Sequence, residues 1–331
     1  MTLNFELPKL VKELKKRKPK KVLVQLPEGI KQNASEIAET IESLGIEVIF
    51  SGETAWGGCA IAVQESQALD VDLIVHFGHA KFIPTPKDSP EVLYIEVRDE
   101  LDLTPLMKKS LSKLKKFKTL GLSYSIQHRH DVENIKKFYE ENGEKILLSK
   151  KLGLVEYEGH IVGCQYSGLK AIEPQVDGFL IIGNQFHAMG AVLSVNKPVI
   201  LLYVYNNDVR SMEHLKDKIL KQRLFSIEKL RKAKNVGVII EIKPGQKFGS
   251  HKYLIKKLKE QEKNPILITM NEITVDKIMN FYNVDAFIEL ACPRIALDDF
   301  AKYPKPILTF KEALVALNVK TWDEILEIGI V

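Results

Sequence analysis

The chain has few cysteines for its length, three in 331 residues, and they lie far apart at Cys59, Cys164 and Cys292. The closely spaced cysteine pairs of structural zinc sites are absent, which makes zinc a less convincing metal here. An odd number of widely separated cysteines also argues against a disulfide framework and favours a reducing compartment. No apolar run approaches the roughly 20 residues that cross a bilayer, and no secretory signal is visible. We therefore expect a cytoplasmic protein that does not enter a membrane.

The excess of positive charge is also small. The formal net charge is +5, from 48 basic and 43 acidic residues. This balance is too weak to predict nucleic-acid binding, although it is compatible with an acidic protein partner. The lysine-rich segment 108–118 carries leucines at 111 and 114, and this spacing favours a surface helix over a basic binding patch.

One short phrase occurs three times and reveals an internal repeat of roughly 105 residues. Cys59 and Cys164 each lie 13 residues before the aspartate of this phrase, whereas Cys292 lies 7 residues after it, where the earlier copies have His79 and Asn184. The repeat predicts three domains, at 1–105, 106–206 and 207–331. The phrase is Val-Asp followed by an apolar run, and it begins at Val71-Asp72, Val176-Asp177 and Val284-Asp285.

Predicted strands and helices alternate through each copy, which is typical of α/β proteins with right-handed crossovers. The sequence therefore predicts an α/β fold of three repeated Rossmann-like domains with parallel sheets. Ligands of such sheets bind beyond the carboxyl ends of the strands. If the domains are related by a pseudo-threefold axis, the three cysteine loops meet at one central site.

A free cysteine commonly does no more than pack in a core. Two of the cysteines share one offset, however, and glycines lie beside them at Gly57, Gly58 and Gly163. Both features favour a common ligand instead, because glycine lets the backbone approach a bulky group. Three thiolates without a fourth suit a 4Fe-4S cluster with one open iron. His76, His79 and His187 are alternative ligands or supporting residues. The loops at 27–29 and 243–246 either contact a nucleoside-like ligand or are ordinary turns.

Four segments of the chain carry distinctive motifs: Leu26-Pro27-Glu28-Gly29, Gly-x-x-x-x-Gly-Gly-Cys ending at Cys59, Val75-His76-Phe77-Gly78-His79, and Ala291-Cys292-Pro293-Arg294 continuing to Asp298-Asp299. Together they resemble the archaeal diphthamide-synthesis 3-amino-3-carboxypropyltransferases. The resemblance covers almost the whole chain, and its specificity comes from the combination of one cysteine in each repeat with the Cys-Pro-Arg segment.

The resemblance implies an atypical radical enzyme in which Cys59, Cys164 and Cys292 hold a 4Fe-4S cluster. In that family S-adenosylmethionine is cleaved between sulfur and the γ-carbon, leaving 5′-methylthioadenosine. The aminocarboxypropyl group goes to C2 of a histidine of translation elongation factor 2, the first step of diphthamide biosynthesis. A homodimer and an unidentified electron donor are also implied.

No catalytic acid or base is assigned from the sequence. For S-adenosylmethionine, Arg294 is the candidate partner of the carboxylate, although an ion pair with Asp298 or Asp299 competes with that role. The full set of candidate contacts to S-adenosylmethionine is Pro27, Glu28, Gly29, Gly58, His76, Lys243, Gly245, Gln246 and Arg294.

Two other functions remain open at this point. Quinolinate synthase also has three repeats with one cluster cysteine in each, and fold reasoning alone does not exclude it. A non-catalytic Rossmann-like binding protein with buried cysteines is the other. The Cys-Pro-Arg and Pro-Glu-Gly segments favour the transferase.

Overall fold

The structure is a computed structural model that describes residues 3–298 and 300–331. Asp299, which belongs to one of the segments above, lies outside the described residues. The first part of the chain forms a parallel sheet of order β3-β2-β4-β5 and a small antiparallel pair, β1 with β6. Its elements are β1 (Leu3–Asn4), α1 (Leu7–Arg17), β2 (Lys21–Gln25), α2 (Ala34–Glu42), β3 (Glu47–Phe50), α3 (Val63–Ala68), β4 (Leu73–Phe77), β5 (Glu91–Ile95) and β6 (Arg98–Asp99).

The second part forms a five-stranded sheet of order β11-β10-β9-β7-β8. Its last strand, β11, is antiparallel to β10, so this sheet is not wholly parallel and extends beyond the predicted boundary at residue 206. Its elements are α4 (Thr104–Leu114), β7 (Thr119–Tyr124), α5 (Val132–Glu141), β8 (Lys145–Leu148), α6 (Ser167–Ile172), β9 (Gly178–Gly183), α7 (Gln185–Val192), β10 (Val199–Tyr203) and β11 (Asp208–Ser211).

The third part forms a parallel sheet of order β13-β12-β14-β15. In each of the three main sheets, the first strand in chain order lies next to one edge. The second strand forms that edge, and the third and fourth strands lie on the other side of the first. The elements are α8 (Glu213–Lys232), β12 (Asn235–Glu241), α9 (His251–Glu260), β13 (Asn264–Met270), α10 (Val275–Met279), β14 (Ala286–Glu289), α11 (Pro293–Leu297), β15 (Ile307–Leu308), α12 (Phe310–Ala316) and α13 (Trp322–Ile328).

The repeated Val-Asp phrase has a structural role in every copy. Asp72 Oδ2 accepts hydrogen bonds from the backbone N–H groups of Lys20 (2.7 Å) and Lys21 (3.0 Å), at the start of β2. Asp177 does the same at β7, and Asp285 does the same at β12. Each aspartate therefore joins the start of the third strand of its sheet to the start of the first.

The central strands of the sheets are apolar because both of their faces are buried. The valines and leucines of β2 and the isoleucines of β9 are almost fully buried, as expected for strands covered on both sides. In the part of the chain that the structure describes, no helix is both long enough and apolar enough to cross a membrane.

Candidate metal centre

The three cysteines line one cavity of about 430 Å³. Cys59 lies in the loop after β3, Cys164 in the loop between β8 and α6, and Cys292 between β14 and α11. These loops belong to three different sheets, and the volume falls within the range of ordinary ligand sites. The tertiary structure thus brings together three residues that are more than a hundred positions apart in sequence.

The glycines beside the cysteines allow protein segments to pack closely. A Cβ at Gly163 would overlap the Phe186 ring, and a Cβ at Gly58 would lie 2.7 Å from the carbonyl oxygen of Ala80. These contacts fix the positions of the Cys59 and Cys164 loops. Gly58 and Gly163 also line the cavity, and the approach of their backbones to a bound group stays a prediction.

The loop after β12 also packs directly on Cys59. Gly245 N–H donates to the carbonyl oxygen of Cys59 at 3.0 Å. A Cβ at Gly245 would lie 2.6 Å from Cys59 Cβ and 2.7 Å from its Cα, so only glycine fits this contact without a shift. The third sheet therefore supports the cysteine that follows the first.

The electrostatics of the thiols favour a positively charged ligand. Burial raises the pKa of Cys164 to about 12 and raises the pKa values of Cys59 and Cys292, and repulsion between the thiolates adds to the shift at Cys164 and Cys292. Three neighbouring thiolates are thus unfavourable unless a metal supplies positive charge, because metal ligation requires deprotonated thiols.

The arrangement suits a cluster better than a single ion. Among residues 3–298 and 300–331, no group of three or more His, Cys, Asp or Glu side chains could hold one metal ion. The thiols instead surround a cavity that a larger group can fill. The residues present therefore fit a cluster that takes one ligand from each of the three loops.

His79 faces this cavity, whereas the predicted contact His76 lies behind it and is fully buried. Gln25 accepts from Ala62 N–H and donates to the carbonyl oxygen of Ala60, both at 3.0 Å. The amide orientation is therefore fixed, and its oxygen lies 3.2 Å from His76 Nδ1, which must carry the proton. His76 Nε2 then accepts from His79 Nδ1 at 2.9 Å.

This chain of hydrogen bonds leaves Nε2 as the unprotonated ring nitrogen of His79. Burial lowers the pKa of His79 to about 4. Two further cavity histidines, His160 and His187, have pKa values lowered by burial to about 4 and about 3. The Nδ1 atoms of both are buried and make no hydrogen bond within the described structure. The cavity therefore presents neutral imidazoles that can accept or donate hydrogen bonds to a bound molecule.

Arg294 lines the cavity and pairs with Asp298, through Nε at 2.5 Å and through Nη2. Its guanidinium also lies over the Phe186 ring. Asp298 therefore pairs with Arg294, as expected for one of the two aspartates, whereas Asp299 lies outside the described residues. Burial lowers the pKa of Arg294.

The structure separates the predicted ligand contacts into two groups. Gly58, Gln246 and Arg294 line the cavity, and Gly245 contacts Cys59. The loop at 27–29 does not reach the cavity: Pro27 packs against Gly78, Glu28 pairs with Lys31 at 2.8 Å, and a Cβ added at Gly29 would meet nothing within 4 Å. Lys243 is buried beside Glu241, at 3.3 Å, and is likewise outside the cavity lining.

Several cavity residues escaped the sequence analysis. His160 and Phe186 line the cavity, and so does Trp56, which is 61% exposed. His160 lies in the loop that carries Cys164, and Phe186 lies at the start of α7, just after Asn184, so their closeness in sequence to Cys164 and Asn184 was the available signal. Phe186 also explains why a glycine precedes Cys164.

Comparisons with known proteins show which family this chain resembles. The family model for diphthamide synthesis proteins matches residues 26–327. The chain is 30% identical to the 2-(3-amino-3-carboxypropyl)histidine synthase of Pyrococcus horikoshii, over 97% of this chain and 94% of that protein. It is 29% identical to subunit 1 of the enzyme of that name in Schizosaccharomyces pombe, over 97% of this chain and 75% of the relative.

The chain belongs to the diphthamide synthesis protein family. Among solved structures, Dph2 from Pyrococcus horikoshii with a 4Fe-4S cluster is similar, with a TM-score of 0.86 and 28% identity over 96% of this chain and 92% of that chain. A second crystal structure of the same protein has a TM-score of 0.88. The resemblance drawn from the sequence motifs is therefore confirmed, and so is the α/β fold with several parallel sheets.

Proposed function

We propose that this protein is a 2-(3-amino-3-carboxypropyl)histidine synthase. It transfers the 3-amino-3-carboxypropyl group of S-adenosylmethionine to a histidine of translation elongation factor 2, in the first step of diphthamide biosynthesis. The observation that carries the proposal is the convergence of Cys59, Cys164 and Cys292 on one cavity, in a chain of a family whose members bear that enzyme name.

The three cysteines are proposed to hold a 4Fe-4S cluster. When bound, the cluster supplies the electron that cleaves the sulfur–γ-carbon bond of S-adenosylmethionine. The remaining work falls to the protein, which must hold the sulfonium in one orientation, because a near-attack geometry decides which bond reacts. Three sheets that each place one thiol can fix that orientation more firmly than one flexible loop.

Side chains of the cavity have distinct proposed roles. Arg294 binds the carboxylate of S-adenosylmethionine, since a guanidinium matches a carboxylate in geometry. Neutral His79, His160 and His187 avoid repelling the sulfonium cation and offer hydrogen bonds to its polar groups. The candidate contacts that lie outside the cavity lining, at 27–29, His76 and Lys243, would act by supporting the residues that do line it.

The assembly around this site is part of the proposal. Three Rossmann-like domains, near 1–105, 106–206 and 207–331, surround a pseudo-threefold site, and the shared strand order of the sheets supports this arrangement. We also propose a homodimer, a separate electron donor and a cytoplasmic location. Exposed Trp56 at the cavity supports docking of the protein substrate beside Cys59.

The test is an anaerobic reaction of the iron-loaded protein with dithionite and S-adenosylmethionine. We expect 5′-methylthioadenosine and, with elongation factor 2 present, a target histidine heavier by one aminocarboxypropyl group. A Cys164→Ala variant is the control, because it lacks one proposed ligand. Release of 5′-deoxyadenosine, or formation of quinolinate from that enzyme's substrates, would contradict the proposal.

A further inference from the structure

The side chain of Gln246 lies between a cysteine and a buried carboxyl group. In one orientation of its amide, Nε2 donates to Cys59 Sγ at 3.4 Å, and the amide oxygen faces Glu241. In the opposite orientation, Nε2 donates to both carboxyl oxygens of Glu241, with Oε1 at 3.0 Å, and the amide oxygen faces the sulfur. The two orientations place opposite partial charges against Cys59.

The state of Cys59 decides between these orientations. A free thiol can donate S–H to the amide oxygen, so the orientation toward Glu241 satisfies both groups. A sulfur bound to iron has no proton to donate and carries negative charge. The amide oxygen would then lie against a sulfur lone pair, which is unfavourable, whereas an N–H donor stabilises the ligated sulfur.

The surroundings of Gln246 restrict it to these two positions. Its backbone belongs to the loop that packs on Cys59 through Gly245, and Gln246 itself is 2% exposed. Glu241 is equally buried and faces Lys243 at 3.3 Å. Burial raises the pKa of Glu241 to about 7, although Lys243 opposes the shift, and nearby Glu272 adds to it. A neutral Glu241 can therefore donate its proton to the amide oxygen of Gln246.

We propose that Gln246 is a positioning residue whose amide turns from Glu241 to donate to Cys59 Sγ when iron is bound, and that this hydrogen bond makes reduction of the cluster easier. The inference rests on the proposed function, since it requires the cluster. Gln246 and Glu241 belong to the third sheet and the loop after its strand β12, whereas Cys59 follows a strand of the first sheet. The contact thus gives one of the three ligands a different electronic environment.

The experiment measures the midpoint potential of anaerobic, iron-loaded protein by a mediated redox titration followed by electron paramagnetic resonance. Gln246→Leu keeps the approximate size of the side chain but removes the donor. We expect the reduction equilibrium to become less favourable by roughly tenfold, which is about 59 mV for a one-electron couple, with the iron content unchanged. Gln165→Leu is the matched control, because Gln165 follows Cys164 but donates to Ser167 Oγ at 2.6 Å.

Two further measurements test the inference independently. The Glu241→Gln variant supplies a neutral donor to the amide oxygen of Gln246, so the midpoint potential of its cluster should equal that of the wild type. Pulsed electron paramagnetic resonance of protein with ¹⁵N-labelled glutamine side chains should show a coupling in the wild type and in Glu241→Gln. Loss of this coupling in the control Gln165→Leu would also contradict the assignment to Gln246.

The inference is overturned if loaded Gln246→Leu has the wild-type potential. It is also overturned if the wild type shows no glutamine coupling, a result that decides the matter even where Gln246→Leu fails to retain iron. Wild-type protein that binds no iron would overturn the proposed function together with this inference. Wild-type protein that binds iron and makes 5′-methylthioadenosine leaves the proposed function standing whatever the outcome at Gln246.

Discussion

Arg223 is a fully buried cation whose replacement should destabilise the part of the protein that carries Cys292. Its guanidinium donates to both carboxylate oxygens of Glu312, at 2.5 and 2.9 Å, and to the carbonyl oxygens of Ala296 (2.7 Å) and Ile307 (2.6 Å). These contacts join α8 to α11, β15 and α12. Because α11 begins immediately after Cys292, the same contacts support the cysteine loop.

Arg223→Met leaves Glu312 charged, buried and without its cation. Removal of one partner of a buried ion pair costs about 3–5 kcal/mol, and we expect a loss of that size in the free energy of unfolding. Neutralising the abandoned partner should recover part of it, so Arg223→Met/Glu312→Gln should be more stable than Arg223→Met alone. Glutamine can still accept hydrogen bonds from Thr309, as Glu312 does at 2.8 Å.

The measurement is urea unfolding followed by circular dichroism, on metal-free protein so that iron binding does not contribute. Lys256→Met is the control, because Lys256 is 75% exposed and pairs with Glu260 across one helical turn; it should change stability by less than about 0.5 kcal/mol. The expected loss for Arg223→Met is at least roughly 3 kcal/mol. A loss of less than about 1 kcal/mol in the free energy of unfolding would therefore refute this account of the buried pair. A double variant that is no more stable than Arg223→Met would refute it too.

The remaining predictions concern the site and the assembly. Replacement of Cys59, Cys164 or Cys292 by alanine should lower the iron content of anaerobically prepared protein in each case, because a methyl group cannot replace a thiolate ligand. Gly245→Ala should also lower it, because the new Cβ would lie 2.6 Å from Cys59 Cβ. Arg294→Ala should slow formation of 5′-methylthioadenosine by up to about a hundredfold while iron is retained. Light scattering should give a mass of two chains.

Each of these predictions has a result that contradicts it. Wild-type iron in all three cysteine variants would exclude the shared site. Gly52→Ala is the control for the glycine change, since nothing lies within 4 Å of its Cβ position, and equal iron contents in the two variants would remove the steric argument. Wild-type turnover in Arg294→Ala would exclude its proposed role, and a mass of one chain would count against the dimer.

Much of the fold was readable from local patterns. Short apolar runs separated by amphipathic helices predict buried parallel strands, and β2, β4, β9 and β12 form where such runs occur. The repeated Val-Asp phrase identified three copies, since the same backbone contact is needed wherever the third strand of a sheet begins beside the first. The antiparallel β11 was not predicted, because a strand's direction depends on the turn before it and on the neighbour that it meets.

The sequence by itself determined which residues could be ligands: three cysteines in a chain with no other thiols, at related places in a repeat. Only the tertiary structure decided which residues surround them. His76 and His79 are three positions apart, yet His79 reaches the cavity and His76 lies behind it. Gln246 meets Cys59 across 187 positions. Such neighbours depend on how separate sheets pack against one another. The hydrophobic periodicity of one segment predicts its own strand or helix, but it does not show which residues of another segment will contact it.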